Sequence, residues 1–141
     1  MNLGEQFRSE VVTVRPTDPI VTAMRKMKEE NVGAVVVTDK QKVVGILTDR
    51  DVALAVTLGD ANSATAVSDV MTRDVVTIWE DQGVFNATQY MQGRQIRRLP
   101  VINRDNELVG MVTLDDMIGL LAQELSNVSK AVTPVLAEKA M

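Results

Sequence analysis

The feature that most constrains this chain is an internal duplication. The sequence VVTV at 11–14 returns as VVTI at 75–78, and GILTDRD at 45–51 returns as GMVTLDD at 110–116. The two blocks keep their order and spacing, apart from one additional residue in the polar turn NRDN at 103–106. Two blocks in register, with the slip confined to a turn, predict two copies of one structural unit.

Each copy is predicted to have the element order βαββα. A short β-branched strand precedes an amphipathic helix, two strands follow around a tight polar turn, and a last helix closes the unit. Asp18 and Asp81 are expected to cap the first helix of each copy, because a carboxylate accepts hydrogen bonds from unpaired helix amides. The strands are predicted at 11–14, 34–38 and 43–47, and at 75–78, 99–102 and 108–112.

The predicted fold class is α/β (α+β), with two pseudo-symmetric βαββα repeats packed as an intramolecular pair. A unit of about sixty residues buries too little apolar surface alone, so the copies are expected to pack around a pseudo-twofold axis that leaves two clefts. The first repeat with its linker is predicted to span 1–66, the second 67–125, and a C-terminal tail 126–141. The tail contains Pro134. It is predicted to be either a frayed helix or a swapped helix.

The charge and the composition of the chain argue against several classes of function. A net charge of −4 disfavours binding to a nucleic-acid backbone, which requires a basic surface. The chain has no Cys and no His, so it lacks thiol nucleophiles, thiolate metal ligands and the commonest general base. No apolar run approaches the roughly 20 residues that span a membrane. We therefore expect no enzyme, no metal site, no membrane or nucleic-acid partner, and a cytoplasmic location.

A Gly-h-h-Thr-x-x-Asp motif, where h is apolar, lies at a strand-to-helix junction of both copies and ends in Thr48 and Asp51 or in Thr113 and Asp116. Glycine on the strand permits close approach of a backbone or a flat ring. Threonine at a helix N-terminus favours phosphate, and aspartate one turn later suits a ribose diol. Each pair also fits a reciprocal helix cap. On the residues alone both interpretations stay open.

The ordered set of motifs resembles the CBS domain, in the tandem form called a Bateman module. The resemblance covers about Leu3 to Leu125 and rests on VTVRP at 12–16, NVGAV at 31–35, GILTDRD at 45–51, DVMT at 69–72, IRRLPV at 96–101 and GMVTLDD at 110–116. It implies no obligatory cofactor but an adenosine-containing ligand such as AMP or ATP, with NAD or S-adenosylmethionine as alternatives. It also implies a homodimer and an unidentified regulated protein.

In that family the aspartate of one copy faces the first strands of the other, so the resemblance implies two mixed clefts. The first is expected to contain Thr48, Arg50, Asp51, Thr77, Ile78, Ile96, Arg97 and Arg98. The second is expected to contain Thr113, Asp116, Thr13, Val14, Val32, Gly33 and Ala34.

The two clefts are expected to differ in charge. Arg50, Arg97 and Arg98 supply cationic donors to the first cleft, which is therefore predicted to bind a phosphorylated adenosine. The second cleft has no equivalent base and is predicted to bind weakly or to take an uncharged adenosine compound. Arg97 and Arg98 are also interpreted as solvated side chains that discourage strand pairing at an edge.

The sequence is consistent with two functions. The first is a regulatory module in which nucleotide occupancy changes the packing of the two halves and a partner protein responds. The second is a ligand-free scaffold or interaction subunit that retains only the fold. An enzyme acting on nucleotides has little support, because the motif offers neither a base nor a nucleophile.

Overall fold

The computed structural model describes residues 3–7 and 10–140. Its elements follow the predicted order in each half. In chain order they are α1 (Leu3–Phe7), β1 (Thr13–Val14), α2 (Ile20–Glu30), β2 (Ala34–Asp39), β3 (Lys42–Thr48), α3 (Asp49–Thr57), a 3₁₀ turn (Val67–Asp69), β4 (Ile78–Trp79), α4 (Val84–Arg94), β5 (Arg98–Ile102), β6 (Leu108–Thr113) and α5 (Leu114–Ala140).

The strands form two three-stranded sheets with the same topology. In the first sheet β1 runs parallel to β2, and β2 pairs antiparallel with β3, so that Val36 lies opposite Ile46. In the second sheet β4, β5 and β6 repeat this order, and Pro100 lies opposite Met111. The duplication and the mixed α/β fold class predicted from the sequence are confirmed.

Each half encloses its own apolar core. Val35, Val36 and Val37 on β2 are all fully buried, because helices cover one face of the sheet and the rest of the chain covers the other. The second core is built around Leu99, Val101 and Val112 of β5 and β6. The nearly continuous apolar strands of the sequence are therefore strands covered on both faces.

The segment that leads into each repeat packs on the other half. Leu3 of α1 is fully buried in the second core, and its amide donates to the carbonyl oxygen of Gln82 (3.0 Å). Val67 of the 3₁₀ turn is fully buried in the first core. Thr72 then pairs with Ile46 of β3 through two backbone hydrogen bonds of 2.9 and 3.0 Å. These crossings join the two repeats into one packed body.

Two predicted helix caps were wrong. Helix α2 begins at Ile20 after Pro19, and the Asp18 carboxylate instead accepts hydrogen bonds from Arg15. Helix α4 begins at Val84, and Asp81 instead forms an ion pair with Arg104 at 2.6 Å. In both cases the carboxylate bonds to an arginine instead of to the helix amides. Asp18 accepts from the amide and the guanidinium of Arg15, and Asp81 accepts from the guanidinium of Arg104.

The segment 126–141, for which a frayed or a swapped helix was predicted, continues α5 without a break as far as Ala140. Among the described residues, no helix is long and apolar enough to cross a membrane.

Candidate functional site

Both Gly-h-h-Thr-x-x-Asp corners form reciprocal caps. At the start of α3 the amide of Asp51 donates to the Thr48 hydroxyl oxygen, and the amide of Thr48 donates to the Asp51 carboxylate, each over 3.1 Å. Thr113 and Asp116 repeat both bonds at 3.1 Å at the start of α5. The helices begin where the motif predicts, and the capping interpretation is confirmed at both corners.

The caps leave part of each corner available to a ligand. Each cap uses one carboxylate oxygen, Oδ2 of the aspartate, and one lone pair of the threonine hydroxyl. The hydroxyl proton and the second carboxylate oxygen take no part in it. A sugar or phosphate can therefore bond to the corner while the helix stays capped, so capping and ligand binding are compatible.

A cavity of about 440 Å³ opens between the two halves beside the N-terminus of α5. Its volume lies within the range of about 300 to 1,000 Å³ that is common for small-molecule pockets. Val32, Gly33 and Ala34 line it from the first half, and Arg98 and Thr113 line it from the second. The rest of its wall consists of Glu10, Val11, Val12, Asn31, Met111 and Asp115. We call this space the Thr113 cleft.

Arg98 lies in the Thr113 cleft, although it was predicted for the cleft of Asp51 and no basic side chain was expected here. The reason is the pairing of β5 with β6. Arg98 and Thr113 are directly opposite each other in this antiparallel pair, so their side chains lie on the same face of the sheet. The predicted difference in charge between the two clefts is corrected at this residue.

The absence of a side chain at Gly33 keeps the wall of the Thr113 cleft open. A Cβ atom at this position would lie 3.5 Å from a carboxylate oxygen of Asp49 and 3.7 Å from a guanidinium nitrogen of Arg98. Within the described part of the chain, the side chain of Arg98 makes no ion pair or hydrogen bond. Its donors are therefore available to an anionic ligand.

Arg97 contributes to a smaller space on the same side. With Arg98, Thr113, Leu114 and Asp115 it lines a cavity of about 140 Å³. Its guanidinium lies 3.7 Å from the Asp115 carboxylate, and both side chains are largely exposed, so this ion pair is weak. The free energy lost if the Arg97 guanidinium left the Asp115 carboxylate for a phosphate group would therefore be small.

Two further cavities continue from the Thr113 cleft along residues 10–13. The first, of about 350 Å³, lies against Lys26, Glu29 and Glu30, and the Lys26 ammonium donates to the Thr13 carbonyl oxygen over 2.7 Å. The second, of about 420 Å³, lies against Thr38, Gln41, Leu108 and Val109. Thr13 lines both of these cavities.

Two other residues predicted for the second cleft, Val14 and Asp116, do not line the Thr113 cleft. Val14 is buried in the first core, so its side chain is turned away from solvent. Asp116 is held in the cap behind Thr113, while its neighbour Asp115 lines the cleft.

The residues predicted for the Asp51 cleft are more dispersed. Ile78 is buried in the second core, and Ile96 packs against that core. Thr77 lines a cavity of about 280 Å³ whose other walls, including Trp79 and Tyr90, belong to the second half. Arg50 is exposed on the first turn of α3. The grouping of these residues with Thr48 and Asp51 stays a prediction.

Sequence reasoning missed several residues of the Thr113 cleft. Val11 and Val12 were predicted as the start of the first strand, and Glu10 was not singled out. Regular β pairing begins only at Thr13, which leaves these three residues along the wall. Asn31 ends α2 in the left-handed region with φ of 53°. An asparagine after an amphipathic helix is a recognisable C-cap, and it was the available signal that the chain turns here.

Comparison with known proteins decides the family. The CBS domain family model matches residues 5–58 and 67–123, which together cover most of the chain. The chain belongs to the CBS domain family. Its two repeats form a CBS domain pair, as the motifs of the sequence indicated.

Two curated relatives illustrate how far the similarity extends. The CBS domain-containing protein YhcV of Bacillus subtilis is 40% identical over 128 residues, which are 91% of this chain and 89% of that protein. Protein MK0525 of Methanopyrus kandleri is 35% identical over 120 residues, which are 84% of this chain. The match spans only 61% of MK0525, so that protein is longer than this CBS pair.

A solved structure shares the fold. The CBS domain pair of protein MJ0100, in complex with 5′-methylthioadenosine and S-adenosyl-L-methionine, is 25% identical to this chain. The two structures superpose with a TM-score of 0.78, covering 88% of this chain and 98% of that one.

Proposed function

We propose that this CBS pair is a regulatory module that binds an adenosine-containing nucleotide between its two halves. One observation carries the proposal: the Thr113 cleft combines an open space of about 440 Å³ with an unengaged arginine and a hydroxyl at a helix N-terminus. The bound adenosine compounds of the MJ0100 pair support the same ligand class.

The chemistry of the cleft suits a nucleoside phosphate such as AMP or ATP. Arg98 would donate charged hydrogen bonds to the phosphate, and the positive end of the α5 dipole beside Thr113 would favour the same group. Val11, Val12 and Met111 offer apolar contact to an adenine ring. The acidic residues Glu10 and Asp115 favour a ligand with little negative charge over a polyphosphate, which ranks AMP above ATP in this cleft.

A second site at Thr48 and Asp51 remains part of the proposal. It would bind a phosphorylated adenosine through Arg50 and Thr77, which the family resemblance places beside Thr48 and Asp51. Arg97, predicted for the same site, lies instead on the side of Thr113 and Asp115. Its support is the cap at Thr48, which leaves one oxygen of Asp51 outside the cap as at the other corner. S-adenosylmethionine and NAD are alternative ligands at either site.

Signalling would follow from the position of the Thr113 cleft. Its walls come from both halves, and the halves also meet where the Leu108 amide donates to the Gln41 carbonyl oxygen over 3.0 Å. A ligand that binds one arrangement of the halves more tightly shifts the population toward it. A regulated partner protein would bind the two arrangements with different affinity, and no catalytic step is required.

We further propose that the module acts in the cytoplasm as a homodimer. Support for the dimer comes from large apolar side chains exposed on helices of both halves. Leu54 and Leu58 lie at the C-terminal end of α3 and Phe85 lies on α4, and Leu58 and Phe85 are more than 70% exposed. Contiguous exposed apolar surface marks protein interaction sites, and Leu54 and Leu58 are four residues apart on one side of α3.

One observation favours the alternative of a ligand-free scaffold. At both corners the threonine and the aspartate are already bonded to the amides of their own helix, so the motif has a structural role without any ligand. The scaffold would retain the fold and the dimer but would not respond to nucleotides.

Calorimetric titration with AMP and with adenosine separates the two functions. We expect Arg98→Ala to weaken AMP binding about ten- to a hundredfold, the equivalent of about 1.5–3 kcal/mol for a lost charged hydrogen bond, and to leave adenosine binding nearly unchanged. Arg25→Ala, an exposed arginine on α2, is the matched control and should leave both affinities unchanged.

Asp51→Ala and Asp116→Ala then locate the sites. Loss of AMP binding only in Asp116→Ala assigns it to the Thr113 cleft, and loss only in Asp51→Ala assigns it to the other corner. If the wild-type protein binds none of AMP, ATP, NAD and S-adenosylmethionine, the scaffold function replaces the regulatory one.

A further inference from the structure

The two repeats differ at one position beside the edge of each sheet. In the first repeat the Lys26 ammonium on α2 donates to the carbonyl oxygen of Thr13 on β1 over 2.7 Å. The duplicated strand sequence makes Thr77 the counterpart of Thr13. Tyr90 is the counterpart of Lys26, since each is the seventh residue of an 11-residue helix. The second repeat therefore has a tyrosine where the first has an ammonium that binds the backbone.

The turns that follow the two edge strands are alike, which supports this correspondence. In the first repeat the Arg15 amide donates to the Asp18 carboxylate over 2.9 Å. In the second repeat the Trp79 amide donates to the side-chain oxygen of Gln82 over 3.1 Å, again three positions along the chain. The backbone of the edge thus follows the same path in both repeats, and the side chains around it differ.

The carbonyl oxygen of Thr77 points away from its sheet. β4 is an edge strand in which Ile78 pairs with β5, and two residues later the Glu80 amide donates to β5 over 2.8 Å. Because the backbone groups of successive strand residues point to opposite sides, those of Thr77 face the open edge. Within the described residues nothing donates to this oxygen. The acceptor that Lys26 satisfies in the first repeat is therefore unpaired in the second.

Thr77 borders a cavity of about 280 Å³ at this edge. Its other walls are formed by Trp79, Gln82, Tyr90, Ile102 and Asn106. None of these residues lines the Thr113 cleft, so the two spaces are separate. We call this space the Tyr90 cavity. Its volume lies near the lower end of the range for small-molecule pockets, which suits a ligand with a short carbon chain.

The lining of the Tyr90 cavity accepts hydrogen bonds and contains no charged side chain. Gln82 keeps a free lone pair on the oxygen that binds the Trp79 amide. Within the described part of the chain, the Tyr90 hydroxyl and the side-chain oxygen of Asn106 accept no hydrogen bond. The side chains of Trp79 and Tyr90 are 42% and 37% exposed. Acceptors beside aromatic rings are the surroundings that an ammonium group prefers.

A cation already lies against the same wall. The guanidinium of Arg104 is 3.9 Å from the centre of the Trp79 ring, and it forms an ion pair with Asp81 at 2.6 Å. The Asp81 carboxylate thus offsets the positive charge that Arg104 places near the cavity. The protein as a whole has a net charge of −4, which favours the approach of a cationic ligand.

We propose that the Tyr90 cavity binds the ammonium group of a small alkylamine. The ammonium donates to the Thr77 carbonyl oxygen, as the Lys26 ammonium does to Thr13, and the alkyl chain packs against Tyr90 and Trp79. A free amine and the lysine side chain of a partner protein present the same chemistry. The site is independent of nucleotide binding in the Thr113 cleft, because the two share no lining residue.

The fluorescence of Trp79 reports on the Tyr90 cavity, because this is the only tryptophan of the chain. The probe is n-butylamine, which like the lysine side chain is protonated at pH 7. At constant ionic strength we expect a saturable change in fluorescence with a dissociation constant in the millimolar range, as for other ligands of so few atoms. The uncharged n-butanol should bind at least tenfold more weakly. Equal affinity for n-butanol, or no saturable change with n-butylamine, would overturn the proposal.

Substitution of Tyr90 locates the binding. Tyr90→Lys gives the second repeat the ammonium that Lys26 supplies in the first, so n-butylamine should bind at least tenfold more weakly while the circular dichroism stays unchanged. Tyr90→Phe is the matched control, since it keeps the ring, and its affinity should stay within about threefold of the wild type. Wild-type affinity in a folded Tyr90→Lys variant would show that the amine binds elsewhere.

Gln82→Glu tests the same site by a gain of affinity and does not depend on the folding of the lysine variant. It places a carboxylate at the counterpart of Asp18, so n-butylamine should bind at least threefold more tightly, while n-butanol should be unaffected. An unchanged affinity for n-butylamine in this variant would contradict an ammonium in the cavity.

The two sources of the ammonium are separated by N-acetyl-lysinamide, which carries the lysine side chain on a peptide backbone. Binding at least as tight as that of n-butylamine assigns the cavity to a lysine of a partner protein. Clearly weaker binding assigns it to a free amine, because the attached backbone then obstructs entry.

Discussion

Asp18 is the carboxylate that the fold stabilises most clearly. It lies in the turn before α2, and its side chain is only 12% exposed. The Arg15 amide donates to one carboxylate oxygen over 2.9 Å, and the Arg15 guanidinium donates to the other over 2.9 and 3.2 Å. The hydrogen bond from the Arg15 amide is the main reason that the pKa of Asp18 lies below its ordinary value. The ionised form therefore stabilises the folded state.

At neutral pH we expect Asp18→Asn to lower the free energy of unfolding by about 1–2 kcal/mol, because a neutral amide makes weaker bonds to Arg15. A group whose pKa is lowered by folding contributes stability above its unfolded pKa and loses it as the pH falls through its folded pKa. The difference between wild type and variant should therefore shrink below about pH 4. Urea unfolding at pH 7 and pH 3 measures it, and an equal difference at both values would contradict this role of the charge.

At the scale of elements, Gly45 on β3 is the point where the chain crosses between repeats. The backbone of Met71 and Thr72 runs directly over it, and a Cβ atom at Gly45 would lie 3.0 Å from the Thr72 carbonyl oxygen and in collision with the Met71 side chain. Glycine is thus required here for the close approach of another backbone, which is one of the two roles proposed from the sequence.

We expect Gly45→Ala to destabilise the fold by about 1–3 kcal/mol, the usual cost of an added methyl group in a packed interior. Gly93→Ala on α4 is the matched control, because a Cβ atom there meets nothing within 4 Å. It should be neutral or stabilise the helix by up to about 1 kcal/mol. Thermal unfolding measures both variants, and equal melting temperatures would show that Met71 moves aside without cost.

At the scale of the whole molecule, the exchange of lead-in segments makes the two repeats one folding unit. The N-terminal helix α1 packs on β5 and β6 at the far end of the sequence, and Leu3 is fully buried there. Val67 completes the first core in the same way. Neither half has a complete core without residues of the other, so the pair is expected to unfold cooperatively.

Leu3→Ala should therefore destabilise the protein by about 2–5 kcal/mol, as for other buried leucines, although Leu3 lies near the chain terminus. Hydrogen exchange should report the earliest loss of protection in β5 and β6. The matched control is Val56→Ala, an aliphatic residue of α3 that is 46% exposed and should cost less than about 0.5 kcal/mol. Earlier loss of protection in β2 and β3 would contradict the assignment of Leu3 to the second core.

The sequence by itself determined the features that depend on neighbouring residues. The repeat, the strand and helix periodicities and the starts of α3 and α5 were all readable, because a Thr-x-x-Asp cap needs only residues three positions apart. The family motifs also identified four of the residues that line the Thr113 cleft: Val32, Gly33, Ala34 and Thr113.

The tertiary structure alone decided where the distant partners lie. Arg98 lies in the Thr113 cleft because it pairs with Thr113 of β6. Asp81 bonds to Arg104, 23 residues further along the chain, and does not cap α4. The crossing of α1 to the second core likewise leaves no local trace in the sequence. The burial of Leu3 and the pairing of strands are stabilised by contacts between residues that are far apart in the sequence. The local periodicity of the sequence carries no information about such contacts.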